Sequence, residues 1–270
     1  MKKTVFVIVV ILLLIAFGVS AFMVGNYLVE SKEQENLNEE LAEIANGGNT
    51  TPQPTQPAQK ETEESTEATE ATEQTEATEP TMIPAYVEIY ERNSDTVGWL
   101  QIEGTPLNNP VMQTPNDPNY YLKRDFNKNH SEWGAVYAWG SADLHAPSDN
   151  VTLFGHTMKD GSMFACLHNY TNKAYWEQNK LIFFNTLTEY HTYKIFAVFK
   201  VSANIGGFAY HQFVDAANAE EFNDFVSTCK ALSFYDTGIT PVYGDKLLTL
   251  STCEYTLDNG RLVVCAVRMY

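Results

Sequence analysis

Positive charge is scarce in this chain. Seventeen lysines and arginines stand against 34 aspartates and glutamates in 270 residues, a formal net charge of −17. Phosphate backbones are bound by basic surfaces, and none is evident here, which argues against a nucleic acid partner. Cysteine is also sparse, four residues in all, with no Cys-x-x-Cys pair and no His-x-x-x-His pair. Those are the spacings that tetrahedral metal sites use, so a metal has no support in the sequence. Long apolar runs are missing everywhere but at the amino terminus.

That one run covers residues 5–24, follows Lys2 and Lys3, and carries no charge. Twenty residues rising about 1.5 Å each span the ~30 Å hydrocarbon core of a bilayer as a helix. Two lysines on its amino-terminal side favour a cytoplasmic amino terminus, with all that follows facing outward. The alternative is a cleaved signal peptide, for which Val19-Ser20-Ala21 offers a small-residue site. The length favours an anchor, residues 1–29, because a signal core is usually about 7–15 residues.

Residues 30–81 hold fourteen glutamates, no aspartate and two lysines, a local charge of −12. The first 29 residues carry +2, which leaves −7 for residues 82–270. The acidity therefore belongs mostly to this linker. From Thr66 to Pro80 the pattern Thr-Glu-x repeats every three residues, a period that matches neither helix nor strand. Self-repulsion and a lack of apolar side chains predict a disordered, solvated spacer. Within residues 30–45, Leu37, Leu41 and Ile44 fall at helical spacing and could continue the membrane helix as a short stalk.

The remaining segment, 82–270, is rich in Tyr, Phe, Val and Leu and long enough for a single core. Residues 83–93 read as an opening helix. Eight short strand-like runs follow, at 97–102, 110–113, 135–138, 151–154, 180–185, 191–201, 245–250 and 261–268. A helix at 218–232, with Phe222, Phe225, Val226, Cys229 and Leu232 on one face, interrupts the last strand connections. Many short strands with few helices point to a mostly β fold, an eight-stranded barrel.

The chemistry concentrates in Thr249-Leu250-Ser251-Thr252-Cys253. A cysteine on its own is most simply a small buried residue, and that reading suits Cys229 and Cys265. Four cysteines outside the membrane also invite disulfides, with partners that spacing cannot assign. Cys253, however, ends a β-like run, and Asp258-Asn259-Gly260 supplies a turn before Arg261 opens the next strand. Pairing across that turn would set a cation beside the sulfur, which favours thiolate over thiol. The bland alternative for Arg261 is a hairpin charge paired with Glu254 or Asp258. His156 follows the buried-strand pattern of residues 151–154 and Gly155, where a strand empties into a loop. His130, His145, His168, His191 and His211 read as loop or surface groups.

Two segments, residues 249–253 with Arg261 and residues 154–164 (Phe-Gly-His-Thr-Met-Lys-Asp-Gly-Ser-Met-Phe), resemble the paired signatures of sortases, the cysteine transpeptidases of Gram-positive surfaces. The wording of the second segment, the opening helix and the helix in a late strand connection are most similar to class B. The likeness runs from about residue 82 to 270, including residues 97–100 and 119–122. One departure is Trp133-Gly134-Ala135-Val136-Tyr137-Ala138-Trp139, where a Gly-Ser-Ile-Phe-like strand followed by an acidic residue is expected. Cys166 and Cys265 are additional thiols.

The resemblance implies a sorting reaction without cofactor or metal. Cys253 would attack the carbonyl carbon of a Thr-x bond in the carboxy-terminal sorting signal of a secreted protein, of Asn-Pro-x-Thr-x type. His156 would serve as acid and base, Arg261 would steady the oxyanion, and Leu122, Ser251 and Glu254 would line the groove. A peptidoglycan precursor or a pilin subunit would supply the accepting amine. The same residues would also serve a cysteine endopeptidase that releases product to water. A non-catalytic surface scaffold, by contrast, has no need of all three.

Overall fold

The computed structural model describes residues 2–47, 81–204 and 206–269. The Thr-Glu repeat lies outside them. The apolar run is helical from its start: α1 (Lys2–Ala45) continues unbroken for 44 residues. Its first half is exposed on every side, with Leu13 and Leu14 each 64 % accessible, and it is long and apolar enough to cross a membrane. Its second half is the expected stalk. Gln34 and Leu41 are buried, and Leu37, Asn38, Ala42 and Ile44 half-buried, a helical stripe. That stripe packs on the folded domain. Leu41 is wholly inaccessible in a cluster with Ile89, Trp99 and Tyr121, and Arg92 pairs with Glu40 at 2.7 Å.

The opening helix α2 (Pro84–Arg92) starts with proline at its first turn, where the missing N–H costs nothing. Eight strands follow: β1 (Thr96–Gln101), β2 (Asn108–Met112), β3 (Val136–Ala138), β4 (Asn150–Phe154), β5 (Leu181–Thr186), β6 (Thr192–Ser202), β7 (Leu247–Glu254) and β8 (Gly260–Arg268). They close into a barrel in the order β1-β2-β3-β4-β7-β8-β6-β5. Two neighbouring pairs are parallel, β2 with β3 and β4 with β7; the rest are antiparallel. The expected eight-stranded barrel is therefore what the chain forms.

Alternation along the strands builds two layers. Leu262, Val264 and Ala266 of β8 point into the barrel with Leu248 and Leu250 of β7. Val263, Cys265 and Val267 point outward, beneath α4 (Ala219–Leu232). Helix α4 begins where Asn218 accepts from Glu221 N, with Glu220 and Glu221 in the first turn and Lys230 in the last. Its Phe222, Phe225, Val226 and Cys229 cover the outer layer.

Among the elements that the sequence pattern does not announce, two stand in the core. A 3-10 turn (Phe164–Thr171) and the short helix α3 (Lys173–Gln178) plug one end of the barrel through Phe164, Leu167, Tyr170 and Trp176. Both are too short to develop a 3.6-residue period. Strand β7 also runs past the expected end at 250 through Cys253 to Glu254, because its ladder with β8 continues there. All four cysteines are free thiols.

Candidate active site

The row of candidate residues spans the end of the β7–β8 ladder and the loop that follows β4. Cys253 lies opposite Arg261 in the antiparallel ladder of β7 and β8. On the other side, β4 runs parallel to β7 with Phe154 beside Ser251. The ladder ends there, and His156 follows two residues later. Hydrogen bonds carry the register past the end of β4: Gly155 N donates to Ser251 O at 3.3 Å, and Thr252 Oγ1 donates to Gly155 O at 2.7 Å. Thr157 completes the clasp. Its Oγ1 is 2.8 Å from Thr252 Oγ1, 3.3 Å from Cys253 O and 3.1 Å from Nε2 of His168. The backbone on both sides of the thiol is thus tied to the backbone that carries His156.

Each member of the row has its own anchorage. Arg261 donates from one terminal nitrogen to Gly260 O at 2.9 Å and to Asn259 O and Oδ1 at 3.3 and 3.2 Å. A guanidinium has five N–H donors. Those bonds therefore fix its position without exhausting it. His156 donates through Nε2 to the main-chain carbonyl of Leu122 at 2.7 Å. Cys253 is half-buried at the surface of the barrel wall, whereas the other three thiols are buried.

The residues expected to line a groove are distributed unevenly. Leu122 reaches the row through its carbonyl, and its side chain is partly exposed. Ser251, on the same strand face as Cys253, is buried and bonded to Tyr210 OH at 2.6 Å. Glu254 is buried and engaged at the hairpin turn. It accepts from Lys200 Nζ at 2.7 Å and from Thr256 N and Leu257 N at 2.9 and 3.1 Å.

Sequence reading misses an aromatic wall beside the row. Tyr137 and Phe154 stack at 5.4 Å, Trp139 meets Phe154 at 5.9 Å, and the His211 ring packs edge-on against Trp139 at 5.1 Å and Tyr210 at 5.5 Å. His211 is therefore part of a packed cluster, not a surface group. Burial lowers its pKa, and the Arg261 charge lowers it further. Burial raises the Tyr137 hydroxyl to about 12 against the pull of Arg261. Both groups feel the Arg261 charge. The one available signal was Trp139, in the segment that departs from the expected pattern. Among the described residues, no cluster of His, Cys, Asp and Glu is placed to hold a metal.

A half-buried thiol with an imidazole on the adjoining loop and a fixed guanidinium across the ladder is an arrangement suited to acyl transfer. Comparison with known proteins agrees. The Sortase domain family matches residues 100–269. Sortase B of Staphylococcus aureus is 28 % identical over 185 residues, covering 68 % of this chain and 74 % of that protein. Sortase B of Bacillus anthracis, solved in complex with AAEK1, superposes with a TM-score of 0.69 at 25 % identity over 90 % of this chain and 99 % of that one. A Staphylococcus aureus sortase B–substrate complex gives a TM-score of 0.64 at 28 % identity, covering 70 % and 86 %. With its barrel, its paired motifs and this breadth of match, the chain belongs to the sortase family of cysteine transpeptidases and is most like class B.

Proposed function

We propose that this protein is a membrane-anchored transpeptidase whose reaction runs on Cys253, His156 and Arg261. The observation that supports it best is the juxtaposition itself: Arg261 is the register partner of Cys253, and hydrogen bonds at Gly155 and Thr157 tie the loop that carries His156 to Ser251, Thr252 and Cys253. The Cys253 thiolate attacks the carbonyl carbon of a Thr-x bond in the carboxy-terminal sorting signal of a secreted protein. The tetrahedral oxyanion faces the Arg261 guanidinium. Collapse breaks the C–N bond, and the His156 imidazolium gives its proton to the departing amine. A thioester remains on Cys253. An acceptor amine, from a peptidoglycan precursor or a pilin subunit, then loses a proton to neutral His156 and attacks the thioester. A new amide forms and the thiolate returns.

The sorting signal proposed is of Asn-Pro-x-Thr-x type, by similarity to class B relatives. The exposed first half of α1 serves as the anchor, with Lys2 and Lys3 on the cytoplasmic side and the barrel outside.

The test uses the full chain in detergent micelles with fluorogenic sorting peptides, with and without amine acceptors, and mass spectrometry for the thioacyl adduct. The expected result is an adduct on Cys253 that amine discharges faster than water does. Turnover by Cys253→Ala at the wild-type rate would refute the assignment. Turnover indifferent to amine would make the protein an endopeptidase.

A further inference from the structure

The 3-10 turn at Tyr120–Lys123 presents four successive carbonyls, and each has a donor from a different source. Tyr120 O receives Arg124 Nη1 at 3.1 Å. Tyr121 O receives Ala135 N at 3.0 Å, and Lys123 O receives Ser131 N at 3.1 Å. Leu122 O receives His156 Nε2 at 2.7 Å. Carbonyls at the end of a short helical turn lack partners within the turn. Here the imidazole supplies one of them.

A carbonyl oxygen can only accept, so the nitrogen facing it must carry a proton. In the neutral ring this leaves Nδ1 bare, and in the cation Nδ1 carries the second proton. Resting on the proposed role of His156, we infer that the Leu122 carbonyl fixes its working tautomer and that Nδ1 is the nitrogen which exchanges protons with leaving group and acceptor. No carboxylate is needed for the task. A backbone group does it, and a backbone group cannot titrate.

The carbonyl lies against Gly134, which we assign as a positioning residue. Gly134 has φ +59°, in the left-handed region. A Cβ placed there would come within 2.7 Å of both Tyr121 O and Leu122 O. Any side chain at 134 must therefore push away the acceptor of the His156 bond. This gives a physical role to a glycine in the one segment, 133–139, whose sequence departs from the expected pattern.

The direct test is nitrogen NMR of the full chain in detergent micelles, with labelled histidine and a His156→Gln variant to assign the signal. With His156 neutral, Nε2 is expected in the protonated range and Nδ1 in the bare range; the opposite assignment overturns the inference. Gly134→Ala is expected to mix the two tautomers and lower kcat about 10²-fold, with KM for the peptide little changed. An unchanged tautomer in folded Gly134→Ala overturns the positioning role. Should that variant fail to fold, His156 replaced by Nδ1-methylhistidine decides. It blocks Nδ1 and leaves Nε2 as the only nitrogen able to exchange a proton, so turnover should be lost; wild-type turnover would overturn the inference. The tautomer is read without catalysis, so a wild-type protein with no peptide turnover would sink the transpeptidase reading and leave the tautomer result standing.

Discussion

Cys253 and Arg261 are register partners in the β7–β8 ladder, one pair short of its end at Glu254 and Gly260. Their side chains share one face of the sheet, and the Asn259–Gly260 carbonyls hold the guanidinium there. A lysine could keep the charge but not the planar fork. Arg261→Ala is expected to lower kcat/KM about 10²–10³-fold, as loss of an oxyanion donor does. Arg261→Lys should recover only part of it. Steady-state kinetics checks both, and thermal melting should stay near wild type, because the lost bonds sit at an exposed turn.

Thiol labelling should be selective. Cys166 is buried, which pushes its pKa up to about 11. Cys229 is raised by burial and by Cys265, whose sulfur lies 4.0 Å away. Only Cys253 is half-exposed. Peptide mapping after brief treatment of native protein with a charged alkylating reagent should find the label on Cys253 alone. In denaturant, all four should react.

Acid should loosen the hairpin that carries the row. Burial by itself would raise the Glu254 carboxyl, but the Lys200 ammonium and the Thr256 donors outweigh it and hold the pKa at about 2. An unfolded glutamate titrates near 4.3. The folded state therefore gains stability from Glu254 above that value and loses it as pH falls from about 4.3 toward 2. Thermal midpoints measured across that window should drop less steeply for Glu254→Gln than for wild type. At neutral pH the variant should be the less stable of the two.

The stalk is part of the core. Leu41 is wholly buried against α2 and β1 residues, so Leu41→Ala should destabilise the full chain by about 2–5 kcal/mol. Hydrogen exchange should then rise in residues 84–92 of α2. If exchange there stayed unchanged, the packing of α1 on the domain would be wrong.

Local pattern revealed one half of this site, and distance in sequence concealed the other. Strand alternation and the Asp258-Asn259-Gly260 turn were enough to pair Cys253 with Arg261. A strand ending in Gly155 was enough to single out His156. The eight strands were legible for the same reason, since each buries one or both faces and leaves a period-2 or all-apolar trace. The link from His156 to Leu122 was not legible, because it joins residues 34 apart through a main-chain atom that has no signature in the sequence. The packing of His211 on Trp139 and of Tyr210 on Ser251 is hidden likewise by long-range closure of the barrel. Proximity to Cys253 along the chain suggests Ser251 and Glu254 as groove residues, yet proximity does not reveal that Tyr210 and Lys200 engage their side chains.

The continuity of α1 changes what sets the enzyme's reach. Its last turns belong to the barrel's own packing, so the distance from the apolar half to Cys253 is set by rigid helix. The acidic stretch follows this packed segment in the chain and so does not lie between the apolar half and the domain contact. Doubling its length would not move Cys253 by an ångström, whereas adding one turn of helix before Tyr27, where contact with the domain begins, would lift it by about 5.4 Å. Under the proposed anchoring the barrel is mounted on a bracket, and a substrate must arrive at that height.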